Sequence, residues 1–226
     1  DVRAIDPRMT AAQPFFAAGV INGLGHHTGY RSFEMASAAT NIIPWGLFIA
    51  GEELHNNHHA FPWSARFSLQ RWEFDTGWLF IKIFEFFGLA KVKRVAPRPR
   101  LETKKNTLDT DTVQALFTNR MHVLRDYARR VVRPVCREIE RREPHGIPTS
   151  APKLLIRHPS LLAEQAQRAL RDLLARHKEL KTIHEFRERL TQLWNDANQA
   201  RAVQGLKEWC AQAEASGIRA LRDFAA

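Results

Sequence analysis

The chain has 226 residues, with 34 Lys and Arg against 24 Asp and Glu, a formal charge of +10 and two cysteines. This length admits one or two domains. Cys136 and Cys210 form no C-x-x-C pair, which excludes a disulfide framework and points to a reducing compartment. The charge is uneven: residues 1–90 carry 6 basic and 8 acidic groups, residues 91–226 carry 28 and 16. The basic character therefore belongs to the second part alone.

Residues 11–25 are apolar apart from Gln13 and Asn22, and 42–51 and 78–90 are shorter apolar pieces rich in Trp and Phe. None reaches the twenty or so residues that a spanning helix needs. The opening Asp1-Val2-Arg3-Ala4-Ile5-Asp6 lacks the basic start and apolar run of a secretory signal. With charges at Lys82 and Glu85, the segment 78–87 reads either as an interfacial amphipathic helix or as a core helix.

The densest chemistry lies at Gly51-Glu52-Glu53-Leu54-His55-Asn56-Asn57-His58-His59-Ala60-Phe61-Pro62. On a helix, His55, His58 and His59 share one face. Three neutral imidazoles at one point suit iron, zinc or copper. A solvated polar turn is the bland alternative. Upstream, Asn22-Gly23-Leu24-Gly25-His26-His27-Thr28-Gly29-Tyr30-Arg31 sets Asn22 and His26 four residues apart, so one helical face can present both.

These two blocks, N-x-x-x-H-x-x-G-Y-R and G-E-E-x-H-N-N-H-H-x-F-P, resemble the carboxy-terminal half of the membrane fatty acid desaturases. The bacterial Δ9 acyl-CoA and acyl-lipid enzymes are the nearest group. Ser64-Ala65-Arg66-Phe67-Ser68 and Trp72-Glu73-Phe74-Asp75-Thr76-Gly77-Trp78 continue the pattern, which is dense from Asn22 to Ala90. The resemblance implies an enzyme of the bacterial inner membrane, with two Fe ions on the cytoplasmic side. It would use O2 and two electrons, from a ferredoxin or cytochrome type donor, to place a cis double bond in an acyl chain carried by CoA or phospholipid. It implies His26, His55, His58 and His59 as metal ligands, with Asn22 holding a metal through water. His27, Glu53 and Asp75 (with Glu52) are candidate hydrogen-bond partners of those imidazoles, which usually donate their second N–H to a carboxylate or carbonyl. A membrane hydroxylase with the same histidine boxes, or a non-catalytic helical interaction module, are the alternatives.

The family's first two boxes, an H-x-x-x-x-H and a separate H-x-x-H-H upstream of these blocks, are absent, and His122, His145, His158, His177 and His184 are too scattered to replace them. The expectation is a partial desaturase domain, inactive alone, over residues 1–90. Residues 91–106 read as a basic, proline-bearing linker able to touch anionic headgroups. Residues 107–226 read as a helical tail.

In that tail, Val113, Leu116, Phe117, Leu124, Tyr127, Val131 and Ile139 recur at helical spacing. Asp109 or Asp111 can cap the start, and Pro134 should kink the helix. Pro144, Gly146, Pro148 and Pro152 mark a loop. Ser160 can cap a second helix, and Thr182-Ile183-His184-Glu185 has the form of a capping box opening a third. A fourth bears Val203, Leu206, Trp209 and Cys210 and ends near Gly217. The expected fold class is all-α, the tail being a bundle or helical hairpin. Its basic residues are interleaved with acids, so paired helix faces are expected and nucleic acid is not expected as a partner.

Overall fold

A computed structural model describes residues 19, 21–99, 108–195 and 198–226. Most of the apolar run at 11–25 and the second half of the 91–106 segment lie outside them. The fold is all-α, with one minimal sheet, and the chain divides into two compact units, Asp1–Ala96 and Pro97–Ala226. Among the described residues no helix is long and apolar enough to cross a membrane.

The first unit is held mainly by buried polar groups. Its elements are short: α1 (Asn22–Leu24), β1 (Trp45–Gly46), a 3-10 turn (Glu52–Leu54) running into α2 (His55–Ala60), β2 (Phe74–Asp75) and α3 (Thr76–Phe86). The strands pair in parallel, Trp45 with Phe74 and Gly46 with Asp75. Gly51, at φ +96°, makes the turn before the 3-10 segment, and a Cβ there would stand 2.4 Å from Asp75 Oδ1. Phe33, Leu54 and Phe61 are buried, but so are Asn41, Asn56, Asn57, Glu73 and Asp75. Buried polar groups persist only where they are hydrogen-bonded, and here they are. Asn56 Oδ1 accepts the amides of Ser32 and Phe33, while its Nδ2 donates to the carbonyls of Phe33 and Ala39. Asn57 Nδ2 donates to Phe67 O and Glu73 Oε2. Tyr30 donates to Glu73 Oε1 at 2.9 Å. The box asparagines are thus internal bolts, not a solvated turn.

Every exposed large hydrophobic side chain among the described residues, from Leu24 to Val95, lies in this first unit. On α3 alone Leu79, Phe80, Ile83, Phe84 and Phe86 are exposed. The expected linker is pinned at its start: Ala65 N donates to Arg94 O, and Ala96 N to Ser64 Oγ. Residues 92–96 therefore pack as part of the unit.

The second unit is built on a large apolar core. It runs α4 (Thr110–Thr118), α5 (Arg120–Tyr127), a π turn (Ala128–Val132), α6 (Arg133–Arg142), α7 (Ala151–Ile156), a 3-10 turn (Pro159–Leu161), α8 (Glu164–Arg176), α9 (Lys178–Leu193), α10 (Gln199–Ala215) and α11 (Arg219–Ala225). Tyr127, Val131, Val135, Leu173, Ile183 and Trp209 meet in one cluster, and Val113, Ala202 and Leu206 form a smaller one. The larger is tied by buried donors: Tyr127 OH bonds Ile183 O at 2.6 Å, and Trp209 Nε1 bonds Phe186 O at 2.8 Å.

Asp109 caps α4 as expected, accepting from Thr112 N. Other expectations for this unit change. Pro134 falls in the first turn of α6, and the π turn before it absorbs the break. Pro152 opens α7 instead of marking a loop, since proline suits a first helical turn. Ser160 lies in the 3-10 turn, and α8 starts only at Glu164. The capping-box pattern at Thr182 is interior to α9, because the Thr182 hydroxyl donates back to Lys178 O. α9 starts instead after His177, which is extended, with Nε2 3.2 Å from Gly146 O.

Candidate metal centre

Three of the expected histidines converge. His26 Nε2 lies 3.2 Å from His55 Nε2, and His59 Nε2 lies 3.1 Å from it. The three ligand atoms lie within 4.8 Å of one another, the one such group of His, Cys, Asp or Glu among the described residues. An ion about 2.1 Å from each nitrogen holds pairs of them about 3.0–3.4 Å apart. Two of the three separations already match.

The local sequence explains the convergence. His55 and His59 are one turn apart on α2. His26 arrives from a tight turn after α1, closed by Gly25 N to Ile21 O and Thr28 N to Leu24 O. Gly25 is required there, since a Cβ would meet Ile21 O at 2.4 Å and the His55 ring at 3.2 Å. Thr40 fixes the turn from below, its hydroxyl within hydrogen-bond reach of the carbonyls of Gly25 and Thr28.

Burial favours the neutral form of His26 and His59, which leaves lone pairs for a cation. Burial, then the neighbouring His55, His58 and His26 rings, bring the His59 pKa down to about 4. Burial, then His55, lowers His26, and burial lowers His58. Glu52 Oε2 stands 3.9 Å from His55 Nδ1, and the His55 imidazole beside it holds that carboxyl below the usual range.

The other expected residues fall elsewhere. His58 is not one of the trio: its ring packs on Phe67 at 4.7 Å, with centroids 5.7 Å from His59 and 6.2 Å from His55, and its Nδ1 is buried without a partner. Asn22 is exposed on α1, which ends before His26, so the helical face expected to join them is interrupted. His27 is exposed in the turn. Glu53 and Asp75 are not imidazole partners. Glu53 Oε1 accepts the amides of Phe48 and Ile49, and Asp75 accepts those of Phe67, Ser68 and Trp78. Backbone amides take both oxygens of Asp75 and Oε1 of Glu53, whose Oε2 is buried without a partner. The residue that does reach an imidazole is Ser37, whose Oγ lies 3.1 Å from His59 Nδ1. No spacing rule connects a serine in Ala36-Ser37-Ala38 to a histidine 22 positions on.

The chain resembles known proteins in two ways. It is 38% identical over 76 residues to the acyl-CoA 5-desaturase AL21 of Anemone leveillei, covering 34% of this chain and 24% of that protein. It is 35% identical over 79 residues to the sn-1 stearoyl-lipid 9-desaturase of Anabaena variabilis, covering 35% and 29%. It is 40% identical over 85 residues to the Delta-9 acyl-lipid desaturase 2 of Arabidopsis thaliana, covering 36% and 28%. The chain thus spans about a quarter of the length of the curated relatives it matches. No solved structure matches. A family model of transposases, the ISL3 group of the DDE class, matches residues 114–226. About a third of the chain is similar to fatty acyl desaturases, and over residues 114–226, half of its length, the chain belongs to the ISL3 family of transposases.

Proposed function

We propose that this chain carries the iron-binding portion of a fatty acyl desaturase, joined to a helical tail. The observation that supports the reading most is the meeting of three imidazole Nε2 atoms, those of His26, His55 and His59. His26, His55 and His59 would hold one ion, with His58 and Asn22 available to a second whose remaining ligands are not among these residues. When bound, the iron pair supplies the oxidising power that removing hydrogen from an alkyl chain needs. The protein's own part is to hold the imidazoles aimed, through Gly25, Thr40 and the Asn56 and Asn57 network. The substrate would be an acyl chain on CoA or phospholipid, with O2 and an electron-donor protein as co-reactants. The exposed aromatic face of α3 suits a membrane surface, here the cytoplasmic side of a bacterial inner membrane.

Anaerobic titration of the full chain with Co(II), a spectroscopic stand-in for Fe(II), tests the metal reading. Uptake should approach one ion per chain and disappear in His26→Ala, His55→Ala and His59→Ala, whereas His58→Ala should retain it. Uptake by His55→Ala equal to that of the wild type would refute the site. Lipids from cells expressing the sequence in its natural reading frame separate desaturation from hydroxylation.

A second reading concerns the tail, where family membership reopens the question of nucleic acid. Arg130, Arg133 and Arg137 are exposed at spacings of three and four along the π turn and α6. The Arg130 guanidinium donates to Asp223 O and lies over the Phe224 ring, and that of Arg137 donates to Arg133 O. Two-metal strand cleavage needs gathered carboxylates, and no three Asp or Glu gather among the described residues. We infer a tail that grips phosphates without cutting them. Duplex DNA binding should weaken with salt at a log–log slope of about −2 to −3, one unit per arginine engaged, and Arg133→Glu should reduce that slope. Binding that ignores salt would refute it.

A further inference from the structure

We propose that Ser37 is a positioning residue for His59, fixing the tautomer in which Nδ1 carries the proton and the Nε2 lone pair faces His26 and His55. The inference rests on the metal reading above. Ser37 Oγ lies 3.1 Å from His59 Nδ1 and also accepts the amide of Ala39 at 3.2 Å. Oxygen lone pairs can take both donors at once. On the far side of the ring, His59 Nε2 lies 3.1 Å from His55 Nε2. With the His59 proton on Nδ1, Nε2 is an acceptor for His55 in the metal-free chain and a ligand atom when an ion arrives. The nitrogen that binds is set by the hydrogen bond made by the other.

The hydroxyl is itself held in place. Arg31 Nη1 donates to Ser37 O at 3.0 Å and to Ala39 O at 2.8 Å, its Nη2 donates to Met35 O, and its Nε pairs with Glu34. Asn56, from within α2, donates to Ala39 O. One buried guanidinium and one buried amide therefore shape residues 34–39 around the ring. An orientation fixed from both sides differs from a chance surface contact, because Ser37 cannot follow His59 if the ring turns.

The test uses the full metal-free chain with 15N-labelled histidine, read by NMR near neutral pH, alongside Co(II) titration. The wild type should show His59 protonated at Nδ1. Ser37→Ala should move the proton to Nε2 and weaken Co(II) binding about 10- to 100-fold, the usual cost of losing a ligand's orienting partner. Ser37→Thr, which keeps the hydroxyl, should restore both. A wild-type chain that takes up no Co(II) sinks the metal reading. A wild type that binds Co(II), with Ser37→Ala binding as tightly or keeping the proton on Nδ1, overturns the role of Ser37 alone.

Discussion

Asn56→Asp isolates the hydrogen bonds of the first unit from its packing, because the two side chains have nearly the same shape. Asn56 is fully buried, and all four of its hydrogen-bonding capacities are used. The substitution keeps the oxygen that accepts from Ser32 and Phe33. It replaces the amide that donates to Phe33 O and Ala39 O with a second acceptor. Two hydrogen bonds are lost at about 1 kcal/mol each, and two carbonyls then face an oxygen without a donor, at about 1–3 kcal/mol each. Part of this is relieved because burial and the facing carbonyls raise the pKa of the introduced carboxyl, so that it protonates and regains one donor. A net cost of about 3 kcal/mol raises local opening by roughly 100-fold. Hydrogen exchange of the 31–41 segment reads this directly, with the tail as an internal control. The penalty should shrink as pH falls toward the pKa of the introduced carboxyl. Unchanged protection at Ser32 and Phe33 would refute the view that Asn56 bolts this loop to α2.

In the tail, Tyr127→Phe should lower stability by about 1 kcal/mol, since one buried hydrogen bond to Ile183 O is lost while the ring contacts remain. Urea unfolding measures this, and an unchanged midpoint would count against the bond. Burial holds the His122 pKa near 4, below its ordinary 6.5. Between those values the unfolded chain binds more protons, so stability should fall as pH drops through this window and level off below it. The loss attributable to His122 is on the order of 1–3 kcal/mol. His122→Leu should flatten that part of the profile, and an identical profile would refute the assignment.

The metal trio was legible because its chemistry is periodic. His55 and His59 are one helical turn apart, and the upstream block supplies His26. What the spacing could not show is which imidazoles join the trio, and His58 does not. Glu53 and Asp75 were recognisable as carboxylates with work to do, but their partners are backbone amides that loops deliver, and loop amides leave no sequence trace. Ser37 was invisible for the same reason. In the tail, the stripes through Val113, Tyr127 and Trp209 marked helices correctly. The starts of α8 and α9 were misplaced because a serine or threonine cap competes with ordinary interior hydrogen bonding, and only the fold decides which. The break at His177 has no glycine or proline beside it. The transposase membership was equally hidden, because amphipathic stripes state that helices pack and not which family packs them.

The π turn at Ala128–Val132 also constrains how the sequence can vary in length. It holds one residue more than a regular helix would use, and it lies between Tyr127 and the trio Val135, Cys136 and Ile139, all of which enter the same core. Removing any single codon from 128–132 would convert the stretch to plain α-helix and turn everything downstream by about 100°. The apolar stripe of α6, Val135, Cys136 and Ile139, would then turn out of the core it now enters. Adding a codon elsewhere in α5 or α6 does the same in the opposite sense. Point substitutions on this rod can be tested one at a time, but its reading frame is inherited as a unit.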